Sequence, residues 1–145
     1  PLRKDRVASK HMGYTSKICY IKFGKSNKLY PHEKISKPIL DIVKKDEILG
    51  VYYILYPPKI NVKVHVDHNP YKKRYLRLQL PIKIPYNNKN KECYIEWIDS
   101  GERIYWKEYE TLLLDVEKLH KGANKSDKTM EFLYVDINPD TKVEL

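Results

Sequence analysis

The chain of 145 residues is long enough for one domain with a substantial core. Its 41% apolar residues and thirteen tyrosines exclude an intrinsically disordered chain. The formal net charge of +9 comes mostly from lysines scattered along the chain. We interpret this charge as a solubilising surface, and binding of nucleic acid or of an acidic substrate remains the alternative.

The two cysteines, Cys19 and Cys93, lack the CxxC spacing of a zinc site, whereas one disulfide stays open. No signal peptide or membrane-spanning apolar run is present, which predicts a soluble protein of the reducing cytoplasm. Residues 1–12 lack an initiating Met and include His11-Met12. We interpret them as a cloning remnant or a disordered leader without a role in the fold, and assign residues 13–145 to a single domain.

The first predicted element is a strand over residues 18–23, which a Gly and a short polar stretch end. A short helix is predicted next, over residues 36–45. Ser36 is its N-cap, and Pro38 lies in its first turn, where the missing N–H costs least. Gly50 is predicted to lie in the turn after this helix.

From residue 51 onward the pattern is typical of β-strands, because runs rich in β-branched and aromatic residues alternate with turn residues. The segment 99–102, Asp-Ser-Gly-Glu, indicates a hairpin. The predicted strands are 51–56, 62–67, 75–82, 93–98, 103–106, 111–115 and 130–137. About eight short strands after one helical segment predict an all-β-dominated closed barrel or double-sheet jelly roll.

The hexapeptide 62–67 alternates strictly between apolar and polar residues. On a β-strand, His65 and Asp67 point to the same side, close enough to bind one metal ion. The alternative is an ordinary half-buried strand with its valines inward. His120 is a suitable third ligand, although a lone His is more often a core or surface residue. Two histidines and one carboxylate form the ligand set of non-haem Fe(II) oxygenases.

A series of short motifs runs in order along the chain: His65-x-Asp67, Leu76-Arg77-Leu78-Gln79-Leu80-Pro81-Ile82, Trp106, Leu114-Asp115, His120, Asn124-x-Ser126-Asp127 and Val135-Asp136. Together these motifs resemble the aspartyl/asparaginyl β-hydroxylase family, which includes related proline hydroxylases, over roughly residues 30–139. The resemblance implies a double-stranded β-helix of the cupin-like jelly-roll type. It also implies that Fe(II), 2-oxoglutarate and O2 are required, with His65, Asp67 and His120 as the metal ligands. Some aspartyl hydroxylases have Gly in place of Asp67, so this chain is more similar to the proline hydroxylases.

Two positions depart from the family pattern. Met130 stands where most members have an Arg that binds the far carboxylate of 2-oxoglutarate, a charge-assisted pair worth about 1.5–3 kcal/mol. Gln79 stands where His is common. We predict that Arg77, Gln79 and Lys128 provide the cosubstrate contacts instead. For Arg77 the alternative is an ion pair with a nearby acid, and for Lys128 it is a solvated surface position.

The leading hypothesis is an Fe(II)- and 2-oxoglutarate-dependent dioxygenase. By resemblance, it hydroxylates an aliphatic C–H bond of a Pro, Asp or Asn side chain, free or within a peptide, and releases succinate and CO2. One alternative is a non-catalytic basic β-barrel that binds nucleic acid through Lys and Tyr side chains. Another is a degenerate oxygenase fold that binds metal without turnover, for which Met130 is the best argument.

Overall fold

The computed structural model describes residues 6–7, 17–23 and 46–140. These residues form ten strands: β1 (Arg6–Val7), β2 (Lys17–Phe23), β3 (Ile48–Tyr56), β4 (Ile60–His65), β5 (Leu76–Lys83), β6 (Cys93–Trp97), β7 (Arg103–Tyr105), β8 (Leu112–Asp115), β9 (His120–Asn124) and β10 (Met130–Ile137). A short 3-10 turn, Pro85–Asn88, follows β5. Over the described ranges, no helix has the length and apolar character needed to cross a bilayer.

The strands form two antiparallel sheets. The larger has the order β1-β2-β3-β10-β5-β8, and the smaller has the order β4-β9-β6-β7. From β3 to β10 the chain crosses between the sheets at every step except the β6–β7 hairpin. This alternation is the double-stranded β-helix that the family resemblance implied, and it encloses a space between the sheets where side chains from distant segments meet.

The core lies between the two sheets and follows the two-residue period of the strands. Along β10, the side chains of Met130, Phe132, Tyr134 and Asp136 are buried, and their neighbours are half-buried. The main buried cluster contains Tyr52, Ile54, Tyr56, Ile60, Ile84, Cys93, Ile95, Trp106, Leu114, Met130, Phe132 and Tyr134. Full burial of a large apolar side chain contributes about 1.5–3 kcal/mol, so this cluster is the main source of stability.

Most of the predicted strands downstream of residue 51 are confirmed to within a few residues, as is the hairpin that joins β6 and β7. Strand β9 was not predicted, because the segment 120–124, His-Lys-Gly-Ala-Asn, contains no β-branched or aromatic residue. Pairing with β4 on one side and β6 on the other holds it extended. The expected position of Gly50 in a turn was wrong, since Gly50 lies inside β3.

Two expectations concern the N-terminal part of the chain. The predicted helix over residues 36–45 lies outside the described residues. Within the segment interpreted as a leader, Arg6–Val7 forms β1 and pairs antiparallel with β2. These two residues therefore extend the larger sheet, whereas the sequence assigned the segment no role in the fold.

Candidate metal centre

His65 and His120 lie directly opposite each other in the smaller sheet, at the last residue of β4 and the first residue of β9. Val62 pairs with Gly122, and His65 pairs with His120. Between these two pairs β4 advances three residues and β9 advances two, so β4 contains a β-bulge. In a regular strand, residues three apart face opposite sides. The extra residue turns His65 into the space between the sheets, on the same side as Val62.

Asp67 lies two residues beyond the end of β4. Its backbone N–H donates a hydrogen bond to the Val116 carbonyl (3.1 Å), which anchors the segment after the strand. Its Oδ1 atom lies 3.1 Å from His65 Nε2 and 3.4 Å from His120 Nε2. Val64 and Val66 are instead 50% and 49% exposed, so the alternative with these valines facing the core does not hold.

The backbone fixes the orientation of both imidazole rings. His65 Nδ1 lies 2.6 Å from the Lys63 carbonyl, and His120 Nδ1 lies 2.8 Å from the Lys118 carbonyl. A carbonyl oxygen only accepts hydrogen bonds, so each Nδ1 carries a proton and each Nε2 faces Asp67. Metal-binding histidines commonly donate their second N–H in this way.

Three electron-pair donors therefore converge on one point, with all ligand atoms within 4.8 Å of one another. Such atoms repel one another unless a proton or a cation lies between them. The residues present fit a divalent metal ion, because two neutral imidazoles and a carboxylate form a ligand set common for Fe(II).

The electrostatics of the cluster also favour positive charge at this point. Burial raises the pKa of Asp67, but hydrogen bonds from His120 and His65, which a second proton on each metal-free imidazole allows Nε2 to donate, and the charge of Arg77 outweigh it and hold the pKa well below its usual range. Burial lowers the pKa of His120, but the hydrogen bond and charge of Asp67 outweigh it and leave the pKa raised. The carboxylate is therefore ionised and able to bind a cation.

Behind the metal centre, Arg77 joins two carboxylates. Its Nη1 atom donates to Asp67 Oδ2 (2.6 Å), while Nε and Nη2 donate to the two oxygens of Asp136 (2.7 and 3.0 Å). Tyr71 donates its hydroxyl proton to Asp136 Oδ2 (2.6 Å). The guanidinium carbon also lies 5.1–5.5 Å from three tyrosine ring centroids, within the range of cation–π contacts. Arg77 thus positions Asp67 through a buried ion-pair network.

The predicted cosubstrate residue Gln79 lies on the same buried face of β5 as Arg77. Its amide nitrogen donates to the Tyr134 hydroxyl (2.8 Å), and its amide oxygen accepts from Trp106 Nε1 (3.0 Å). The Tyr134 hydroxyl lies 2.9 Å from that of Tyr56. Gln79 is therefore part of a hydrogen-bonded chain that crosses the interior.

The structure does not bring Lys128 to this site. Its side chain is exposed, and its Nζ atom lies 4.7 Å from the centroid of the Tyr86 ring on the outside of the protein. Met130 is instead buried, with 2% of its surface exposed, and its side chain lines the interior. Lys128 lies in an exterior loop, two residues before Met130, which is the first inward residue of β10.

A cavity of about 240 Å³ extends from the metal centre between the two sheets. His65, Asp67 and His120 line one part of it, and Arg77, Gln79 and Met130 also reach it. The remaining walls are largely aromatic and aliphatic, with Trp106 and several tyrosines among them. A small molecule bound here would lie beside the three ligand atoms.

Tyr71 and Asp136 were not among the predicted site residues. Asp136 continues the inward positions 130, 132 and 134 of β10, and a carboxylate at such a position is the signal that could have identified it. Tyr71 lies in the irregular segment between β4 and β5, so no sequence period indicates its contact with Asp136.

Replacing Gly50 with Ala is expected to destabilise the protein by about 1–3 kcal/mol, the usual cost of overpacking. The added Cβ would overlap the Tyr71 hydroxyl and displace it from Asp136. In a urea-denaturation double-mutant cycle, Gly50→Ala should cost less in the Tyr71→Phe background, which lacks this hydroxyl. Strict additivity of the two substitutions would contradict the proposed overlap.

Comparisons with solved structures show the fold. The chain is similar to a predicted oxalate decarboxylase from Thermotoga maritima (TM-score 0.56, 14% identity, covering 92% of this chain and 91% of that one). It is also similar to a Cupin 2 conserved barrel domain protein from Salinispora arenicola (TM-score 0.55, 10% identity, 96% and 87%). A third is ectoine synthase from P. lautus (TM-score 0.55, 14% identity, 93% and 70%).

At these identities the likeness supports a cupin-type double-stranded β-helix and carries nothing about activity. No curated protein matches the chain significantly in sequence. The sequence model described as aspartyl/asparaginyl beta-hydroxylase matches residues 29–139, which include all three residues of the metal centre. The chain therefore belongs to the aspartyl/asparaginyl β-hydroxylase family.

Proposed function

We propose that this protein is an iron(II)-dependent oxygenase that uses a 2-oxo acid to hydroxylate an aliphatic C–H bond. The observation that carries the proposal is the convergence of His65 Nε2, His120 Nε2 and Asp67 Oδ1 beside an interior cavity. Membership of a hydroxylase family supports the same reaction class. A Pro, Asp or Asn side chain, free or within a peptide, is the proposed target on the basis of the family resemblance.

When bound, Fe(II) and a 2-oxo acid would supply the activation of O2 and the transfer of one oxygen atom. The chain's own residues hold the metal ligands in place. Arg77 binds Asp67 Oδ2, which leaves Oδ1 directed at the metal position and favours a single-oxygen contact. The Lys63 and Lys118 carbonyls prevent both imidazole rings from rotating. This support keeps the ligand geometry fixed before substrate arrives.

The cavity walls supply the second contribution, exclusion of water. Tyr52, Trp106 and Tyr134 are buried side chains that line it. Burial raises the pKa of Tyr52 well above its usual value, so its phenol stays protonated at neutral pH. Such walls limit hydrolytic and other side reactions of a reactive centre and strengthen electrostatic contacts to a bound substrate.

For 2-oxoglutarate itself, the fit is incomplete. The metal centre fits the oxo-acid end of the molecule, but the residue at the family's carboxylate-binding position is Met130. The proposed reaction therefore requires a 2-oxo acid of unspecified tail. 2-Oxoglutarate is the cosubstrate that the family resemblance implies.

The test is an anaerobic titration with Fe(II) followed by 2-oxo acids. We expect a visible charge-transfer band with at least one 2-oxo acid, and its loss in His65→Ala. His68→Ala is the matched control, because it removes a nearby imidazole that is exposed and outside the three-residue cluster. No band with any 2-oxo acid, or a band that survives in His65→Ala, would contradict the proposal.

Exposure to O2 then separates the remaining alternatives. An active hydroxylase should release CO2 from the 2-oxo acid and add one oxygen atom to peptides that contain Pro, Asp or Asn, as detected by mass spectrometry. A degenerate oxygenase would give the band without CO2 release. A nucleic-acid-binding module would take up no metal and bind single-stranded oligonucleotides with a steep dependence on salt.

A further inference from the structure

The inward-facing side chains of β10 connect two chemically different ends of the interior. Asp136 contacts Arg77 and Tyr71 behind the metal centre. Met130 lies six residues earlier on the same strand, which corresponds to about 20 Å at the usual rise of an extended chain. Both side chains line the cavity. Met130 therefore marks the end of the cavity that is distant from the ion-pair network.

The surroundings of Met130 are apolar. Its side chain belongs to the main core cluster together with Ile54 and Ile95, both of which also line the cavity. Val62, from the smaller sheet, packs against the same cluster. A ligand group that reaches this end contacts methyl, methylene and thioether groups, which favour an uncharged group.

The polar groups near this end are uncharged. Tyr56 is opposite Met130 in the neighbouring strand β3. Burial raises the pKa of the Tyr56 phenol well above its usual value, and the contact with Tyr134 raises it further. The amide of Gln79 bonds to Tyr134 and Trp106. These groups can hydrogen-bond a ligand but cannot neutralise a buried carboxylate.

The fixed positive charges of the lining are already matched. Of the described side chains that line the cavity, those with a permanent positive charge are Arg77 and Lys121. Arg77 is bound to Asp67 and Asp136. Lys121 Nζ lies 2.8 Å from Glu96 Oε1. A second carboxylate brought to Arg77 would face two existing negative charges, which disfavours it.

We infer that the cavity selects a 2-oxo acid with an uncharged tail, and that Met130 is the residue that determines this selection. The inference rests on the proposed function. Its physical basis is that a carboxylate loses its hydration in the apolar end without gaining a counter-charge from the described side chains, whereas an aliphatic tail gains contacts. The reaction balances for any 2-oxo acid: C1 leaves as CO2, one oxygen atom of O2 enters the shortened acid, and the other enters the substrate C–H bond.

The experiment compares two probes that differ in the tail alone. One is 2-oxoglutarate, and the other is 5-methyl-2-oxohexanoate, in which an isopropyl group replaces the distal carboxylate. Each is titrated anaerobically into the Fe(II)-loaded wild-type protein, and the dissociation constant is read from the charge-transfer band. We expect the uncharged probe to bind at least about 10-fold more tightly, because desolvation opposes the buried carboxylate.

Two variants test the role of Met130. Met130→Arg restores the charge that the family pattern has at this position, and it should reverse the order of affinities. Met130→Leu is the matched control, because it keeps an aliphatic side chain of similar size, and it should keep the wild-type order. If the buried Arg prevents folding, the wild-type comparison still decides whether the cavity selects an uncharged tail.

The outcomes separate this inference from the proposed function. Tighter binding of 2-oxoglutarate by the wild-type protein would overturn the selection by Met130 and leave the oxygenase proposal in place. An unchanged order of affinities in folded Met130→Arg would overturn the assignment to this residue. If Fe(II) binds but neither probe nor any other 2-oxo acid gives a band, the proposed function itself fails, and the inference fails with it.

Discussion

Asp67→Asn is expected to lower the affinity for Fe(II) by more than about 100-fold, since loss of an outer-shell partner alone typically costs 10–100-fold. The substitution keeps the size of the side chain but removes the charge at the point where His65 Nε2 and His120 Nε2 also converge. Anaerobic calorimetric titration with Fe(II) measures the change, and far-UV circular dichroism confirms that the variant is folded.

The matched control is Asp115→Asn, at the end of β8, where the carboxylate is partly exposed and lies 3.8 Å from Arg74 Nη2. Its Fe(II) affinity should equal that of the wild-type protein. If Asp67→Asn also bound Fe(II) with wild-type affinity, the metal would not be held by this carboxylate, and the three-residue site would be incorrect.

Arg77→Leu is expected to destabilise the protein by about 3–5 kcal/mol, because it leaves Asp67 and Asp136 buried without their counter-charge. For a chain of this length, that loss lowers Tm by about 10 °C or more. Urea denaturation of the metal-free protein gives the change in the free energy of unfolding. Because Arg77 also holds Asp67 Oδ2, Fe(II) affinity should fall as well.

Arg74→Leu provides the control for this substitution on the neighbouring surface. Arg74 is 58% exposed and pairs loosely with Asp115, so its removal should cost no more than about 1 kcal/mol. Equal costs for the two substitutions would show that the buried network contributes little to stability.

The pH dependence of stability provides a second measurement on the same variant. The lowered pKa of Asp67 means that its contribution to wild-type stability is present above about pH 4, the range in which an unfolded Asp ionises, and is lost as pH falls further. In Arg77→Leu the two carboxylates no longer have this partner. The difference in stability between the two proteins should therefore shrink as the pH is lowered below about 4.

The sequence indicated the three metal-centre residues because the relevant information is local or shared with a family. His65 and Asp67 are two residues apart, and His120 occupies its place in the ordered motif series. The alternation in residues 76–82 likewise placed Arg77 and Gln79 on one face, and that face is buried. Period and motif order are properties of the chain itself, so they can be seen without coordinates.

The partners of these residues could not be deduced in the same way. Arg77 meets Asp136 because β5 and β10 are paired with residues 77 and 136 opposite each other, a register that depends on the whole sheet. Gly122 allows close approach, since a Cβ there would lie 3.3 Å from the Tyr94 carbonyl oxygen and 3.4 Å from the Trp106 ring. Such requirements arise from packing between distant segments, which no local pattern contains.

The bulge in β4 has a consequence for how this chain tolerates a change in the length of the strand. From Val62 to His65, β4 advances three residues while β9 advances two, and this extra residue turns the imidazole inward. In a regular strand, a residue three positions after Val62 would face solvent instead. Deleting one residue between these positions would make the ladder continuous, and the histidine would still lie opposite His120 on the same side as Val62. The bulge thus absorbs one extra residue upstream of the candidate metal centre without turning the imidazole away from it.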